Sequence, residues 1–141
     1  MATLGSIDHV GIAVSDLDTA VAVYTRLCGR EPIHRSRVDA DGVEAVLFET
    51  GAQRIELLGA TRADSSISRF LDRRGGGLHH VAYAVPDVQA ALDHYSSMGL
   101  RLIDRAPRPG AGGRLVGFLH PEAAGGVLVE LCQPAPGPAP A

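Results

Sequence analysis

The chain has 141 residues, 45% of them apolar and 21% charged, with a formal net charge of −3. That is the make-up of one soluble globular domain, or of two small modules sharing a core. It excludes a basic footprint for nucleic acid, and no apolar run approaches the ~20 residues of a membrane-spanning helix.

The opening MATLGSIDH lacks the charged-then-apolar pattern of a secretory leader, so the expected location is cytoplasmic. "IDHVGIAV" alternates like a strand and stops at Ser15-Asp16, a helix-capping pair. "LDTAVAVYTRLC" has helical amphipathic spacing and ends at Gly29, a left-handed helix terminator. "REPIHRSR", "VEAVLFET" and "QRIELLG" read as three short strands separated by turn residues. "DSSISRFLDRRGGG" reads as a short linking helix from about Asp64 to the glycines. Cys28 and Cys132 have no metal-ligand spacing and are expected to be reduced structural thiols. The tail PAPGPAPA (134–141) cannot form a packed element and is expected to be disordered.

After the linker the pattern starts again. "HVGIAVSDLDTAVAVY" (9–24) and "HVAYAVPDVQAALDHY" (80–95) agree at 7 of 16 positions with a constant offset of 71. The match resumes at offset 70 with Gly29/Gly99, Ile33/Ile103 and Arg35/Arg105, then aligns "VLF" with "VGF" and "RIELL" with "LVELC". Self-similarity of this length marks two copies of one supersecondary unit. The expected fold class is α+β: two tandem βαβββ modules forming a curved, cup-like mixed sheet with helices outside. Its parts are module one at about 5–60, the linker helix at about 64–74 and module two at about 77–133, within a single domain.

The repeat pairs polar residues on apolar strands: His9 with His80, and Glu56 with Glu130. Adjacent residues of a strand face opposite ways, so of the doublet His79-His80 only His80 shares the role of His9; His79 corresponds to Asp8. The His9 face carries Gly11 and Ala13 and the His80 face Ala82 and Ala84, small residues expected to leave room for a ligand. Val10, Ile12 and Val14 are expected to pack beneath the helix. An ionised Glu among Ile55, Leu57 and Leu58 is costly unless paired or bound to metal. Two His and two Glu related by a repeat form a mixed N/O set suited to one divalent first-row metal per chain. A lone strand His is more often a satisfied core or surface residue; the symmetric quartet reverses that weighting. His34 and His94 are expected at the surface.

The motifs "IDHVGIAVSDLDTAVAVY", "IELLGATRADSSISRFL", "GGGLHHVAYAV", "GGRLVGFLHP" and "GGVLVELCQ" resemble the methylmalonyl-CoA epimerase family, of the vicinal oxygen chelate (glyoxalase/bleomycin resistance/dioxygenase) superfamily, over residues 7–133. That resemblance implies His9, Glu56, His80 and Glu130 as metal ligands. It implies Co²⁺ first, with Mn²⁺, Ni²⁺, Zn²⁺ or Mg²⁺ as the other candidates. It implies interconversion of the 2R and 2S forms of methylmalonyl-CoA, or a close 2-alkylmalonyl-CoA, through a metal-stabilised enolate, in a homodimer with no nucleic-acid or membrane partner. Glu130 would be both ligand and catalytic base. Bacterial members often carry a second catalytic Glu three residues after the hairpin glycine; here that position is Ala45, and Glu44 precedes it. Glu44 is the second candidate base, provided a bulge at Gly42-Val43 re-aims it. Arg108 and Arg114, in a glycine-rich loop, could contact the pantetheine or phosphates, or serve the turn itself. The alternatives are a glyoxalase I-type lyase, which shares the same four ligand types, and a non-catalytic small-molecule binder.

Overall fold

The computed structural model describes residues 3–134. All but the first residue of the Pro/Ala tail lies outside the described residues. Contacts divide the chain into two units, the first spanning Ile7–Val81 and the second formed by the segment up to Ser6 and everything from Ala82 on.

The first unit holds β1 (Ile7–Ala13), α1 (Leu17–Cys28), β2 (His34–Val38), β3 (Val43–Thr50), β4 (Gln53–Ala60), α2 (Ser66–Arg74) and the first part of β5 (Gly77–Ala84). Its strands lie in the order β2-β3-β4-β1-β5, with β1 parallel to β4 and both hairpins antiparallel. Helix α1 starts where the sequence puts its cap: the Asp16 carboxylate accepts the Thr19 N–H at 3.0 Å. Its apolar stripe of Leu17, Ala20, Val21, Tyr24 and Cys28 packs on Val46, Phe48 and Leu57, with Ile12 from β1 beside them. This is the covered face predicted for Ile12. Helix α2 begins at Ser66, two residues after the expected start near Asp64, because Ser65 caps it, accepting from Ser68 N–H at 3.1 Å. Asp64 instead pairs with the Arg62 guanidinium at 2.8 Å.

The second unit repeats the pattern with the end of β5, α3 (Val88–Ser97), β6 (Arg108–Pro109), β7 (Leu115–Leu119) and β8 (Val129–Cys132), ordered β5-β8-β7-β6. Asp87 caps α3, whose Val88, Ala91 and Leu92 are buried against Leu119, Val129 and Leu131. The copy is incomplete at its third element. Residues 104–108, which align with β2, reach regular pairing only at Arg108, in a strand two residues long, and the chain before them makes only a bridge from Leu102 to Leu119. Pro107 and Pro109 carry no backbone N–H, so this segment cannot sustain a ladder.

The unit boundary cuts through β5 rather than falling in the linker. The N-terminal segment pairs with the far end of that strand, Gly5 N–H donating to Ala84 O and Ala84 N–H to Ser6 O, both at 2.9 Å. The near end, with His80, stays with the first unit.

Candidate metal centre

Strand register builds the site. Glu56 on β4 lies across from Gly11 on β1, two residues along from His9, so His9 and Glu56 are diagonal neighbours on one face. The absent side chain at Gly11 is filled by a neighbour: a Cβ there would overlap the His80 imidazole. The expectation of open space over Gly11 is therefore corrected, since His80 itself occupies it. His9, Glu56 and His80 are all buried, at 4%, 7% and 3% exposure.

Their ligand atoms converge. His9 Nε2 and His80 Nε2 are 3.1 Å apart. Glu56 Oε1 is 3.6 Å from the first and 3.5 Å from the second. A first-row metal with bonds of about 2.0–2.2 Å separates adjacent ligand atoms by roughly 2.8–3.6 Å, between octahedral and tetrahedral limits. All three separations fall in that interval, so two imidazole nitrogens and a carboxylate oxygen fit one divalent ion.

Both histidines are held from behind. Asp8 Oδ2 accepts from His9 Nδ1 at 2.7 Å, and the same carboxylate pairs with Arg54 at 2.8 Å. His79 Nδ1 lies 2.9 Å from His80 Nδ1, and its ring stands edge-on to Phe70 of α2 with centroids 5.0 Å apart. Each contact occupies Nδ1 and leaves Nε2 for the ion. Sequence reasoning passed over Asp8 and His79, although the offset of 71 that pairs the ligands pairs these two as well.

Other predicted residues fall elsewhere. Glu130 is buried on β8 of the second unit, opposite Phe118 of β7. Glu44 does not take the expected place: β3 is in continuous register with both neighbours from Val43 onward, so no bulge re-aims it. It shares the α1-facing side with Val46 and Phe48, where Arg35 bonds it at 2.9 Å and also reaches Asp18 of α1 at 3.0 Å. The Arg35 guanidinium holds the Glu44 carboxyl below its usual range. Ala45, on the metal face, is buried. Arg114 is buried and donates to the Gln133 carbonyl at 3.1 Å, while Arg108 pairs with Asp104 at 3.3 Å and lies over the Phe118 ring. Both loop arginines thus serve the second unit's own structure. His34 is exposed as expected; His94 and His120 are half-buried, and His120 Nδ1 accepts the Glu122 N–H at the end of β7. Neither Cys28 nor Cys132 forms a disulfide among the described residues.

Residues 8–118 match the model of the glyoxalase/bleomycin resistance protein/dioxygenase superfamily. The chain belongs to that superfamily. Within it, the chain is 38% identical to the ethylmalonyl-CoA/methylmalonyl-CoA epimerase of Cereibacter sphaeroides, covering 92% of this chain and 98% of that protein. It is 37% identical to the mitochondrial methylmalonyl-CoA epimerase of Homo sapiens, over 92% of this chain and 74% of that one. Among solved structures, a variant of the Streptomyces coelicolor methylmalonyl-CoA epimerase in complex with 2-nitronate-propionyl-CoA superposes with a TM-score of 0.89. That alignment has 35% identity and covers 98% of this chain and all of that one. The superfamily fold and the epimerase kinship thus agree with the repeat. No described helix is long and apolar enough to cross a membrane.

Proposed function

We propose that this chain is a metal-dependent epimerase that interconverts the 2R and 2S forms of methylmalonyl-CoA, accepting a close 2-alkylmalonyl-CoA as well. The buried convergence of His9 Nε2, His80 Nε2 and Glu56 Oε1 on one strand face carries the reading. The relationship to epimerases at 37–38% identity supplies the reaction class.

The C2 hydrogen of a malonyl thioester is weakly acidic, and inversion requires its removal from one side and return on the other. When bound, a divalent metal would supply Lewis acidity worth several kcal/mol to the developing enolate. His9, Glu56 and His80 would hold that ion, and Glu130 would be the fourth ligand by its repeat relationship to Glu56. Asp8 and His79 keep both Nε2 atoms aimed. Glu130 also moves one proton at C2. Co²⁺ is the first candidate metal, and a cytoplasmic homodimer the expected form.

The experiment is proton exchange in deuterated water, with methylmalonyl-CoA and then ethylmalonyl-CoA, on metal-loaded and chelator-treated protein. Epimerisation with deuterium entering C2, abolished by chelator and restored by metal, supports the reading. Metal-independent turnover, or hemithioacetal isomerisation instead, defeats it.

A further inference from the structure

Epimerisation needs a second proton-transfer group beside Glu130, and Glu44 faces α1. We propose that His34 is that group, an assignment that rests on the epimerase reading above.

The register makes the case. His34 lies directly across from Leu47, Leu47 across from Glu56, and Glu56 across from Gly11. Residues directly opposite on paired strands point to the same face, so these four form one row on the metal face. Two interstrand steps, about 10 Å between Cα atoms, separate His34 from Glu56. Between them stands only the half-buried Leu47, an apolar floor on which an acyl group can rest. In the adjacent row Ala45 offers a methyl group, so no longer side chain of β3 screens β2 from the metal there. Ser36, opposite Ala45, has a buried hydroxyl with no hydrogen-bond partner among the described residues, a second polar group on the same face of β2.

The remaining ionisable side chains on this face of β1–β4 are committed. His9 and Glu56 are ligands, Arg54 pairs with Asp8, and Glu49 pairs with Arg30 at 3.5 Å. His34 has no ion pair or hydrogen bond among the described residues, and imidazole is the commonest general acid–base group. Its exposure lets it exchange protons with solvent between turnovers.

In one direction the Glu130 carboxylate takes the C2 proton as the C–H electron pair moves into the enolate. The His34 imidazolium then gives its N–H proton to C2 from the other side, leaving neutral imidazole. Solvent water resets both groups, and the reverse reaction exchanges their roles.

The test follows single epimers of methylmalonyl-CoA by NMR in deuterated water with metal-loaded protein. Wild type is expected to invert and deuterate both. His34→Gln is expected to lose epimerisation at least ~10²-fold. It should retain its metal and still exchange, without inversion, the one epimer whose C2–H faces Glu130. Glu130→Gln, with metal supplied until the site is loaded, is expected to show the complementary preference. His34→Gln and His34→Ala epimerising within threefold of wild type would overturn the assignment while leaving the epimerase reading intact. Equal loss of exchange from both epimers, or loss of metal, would also overturn it. Wild-type protein that exchanges neither epimer defeats the epimerase reading itself.

Discussion

The imidazole of His80 occupies the space that a side chain at Gly11 would fill. One glycine on β1 therefore decides whether His80 of β5 reaches His9 on β1 and Glu56 on β4. Gly11→Ala is expected to fold, because alanine suits an extended strand, but to push His80 aside. Metal affinity should fall about tenfold or more, read by competition with a chromogenic chelator. Unchanged affinity would mean that His80 does not bind from this position.

Asp8 and His79 act through the ligands they touch. Asp8→Ala and His79→Ala are each expected to weaken metal binding by ~10–100-fold. Asp8→Asn and His79→Asn keep an acceptor near Nδ1 and should recover most of that loss. Nitrogen NMR of the metal-free protein should report the Nδ1–H tautomer of His9 in wild type and a mixture in Asp8→Ala.

Glu44 has a stability role that depends on pH. Its folded carboxyl is held below the unfolded value by Arg35, so the folded state binds a proton less readily than the unfolded chain. The stabilisation is present above an unfolded pKa of about 4.3 and lost as pH falls through the lower folded value. Wild type should lose stability towards pH 4 more steeply than Glu44→Gln, by less than about 1 kcal/mol for so accessible a pair. Epimerase activity of Glu44→Gln should stay within threefold of wild type; a hundredfold loss would return Glu44 to the mechanism.

Leu92 is fully buried in the second unit, against neighbours from α3, β7 and β8. Leu92→Ala is expected to cost about 2–5 kcal/mol in denaturant unfolding. The metal ligands of the first unit remain chemically untouched by that change.

Most of this was legible in the residues. The bounds of α1 follow from Asp16 and Gly29, and the pairing of His9 with His80 from an offset that needs no structure. What escaped has physical causes. The shortened third element of the second copy arises from Pro107 and Pro109, whose effect on a ladder depends on where it would run. The roles of Asp8 and His79 depend on ring edges meeting across a strand's pleat, which alternation alone reads as opposite faces. The choice between Glu44 and Ala45 turned on a bulge, and whether a hairpin glycine leads into one depends on the turn that forms. Here Asp39–Asp41 make a tight turn, and Gly42, at φ +66°, returns the chain to regular pairing.

The division of β5 sets an order of assembly. Because the strand's near half, with His80, belongs with Ile7–Val81, every member of the buried triad is synthesised before Ala82. The second unit is not contiguous: it must wait for β8 and also take in a segment synthesised before β1, through Gly5 and Ser6. His9, Glu56 and His80 thus emerge from the ribosome ahead of β7 and β8, so metal capture can precede folding of the second unit and bias it.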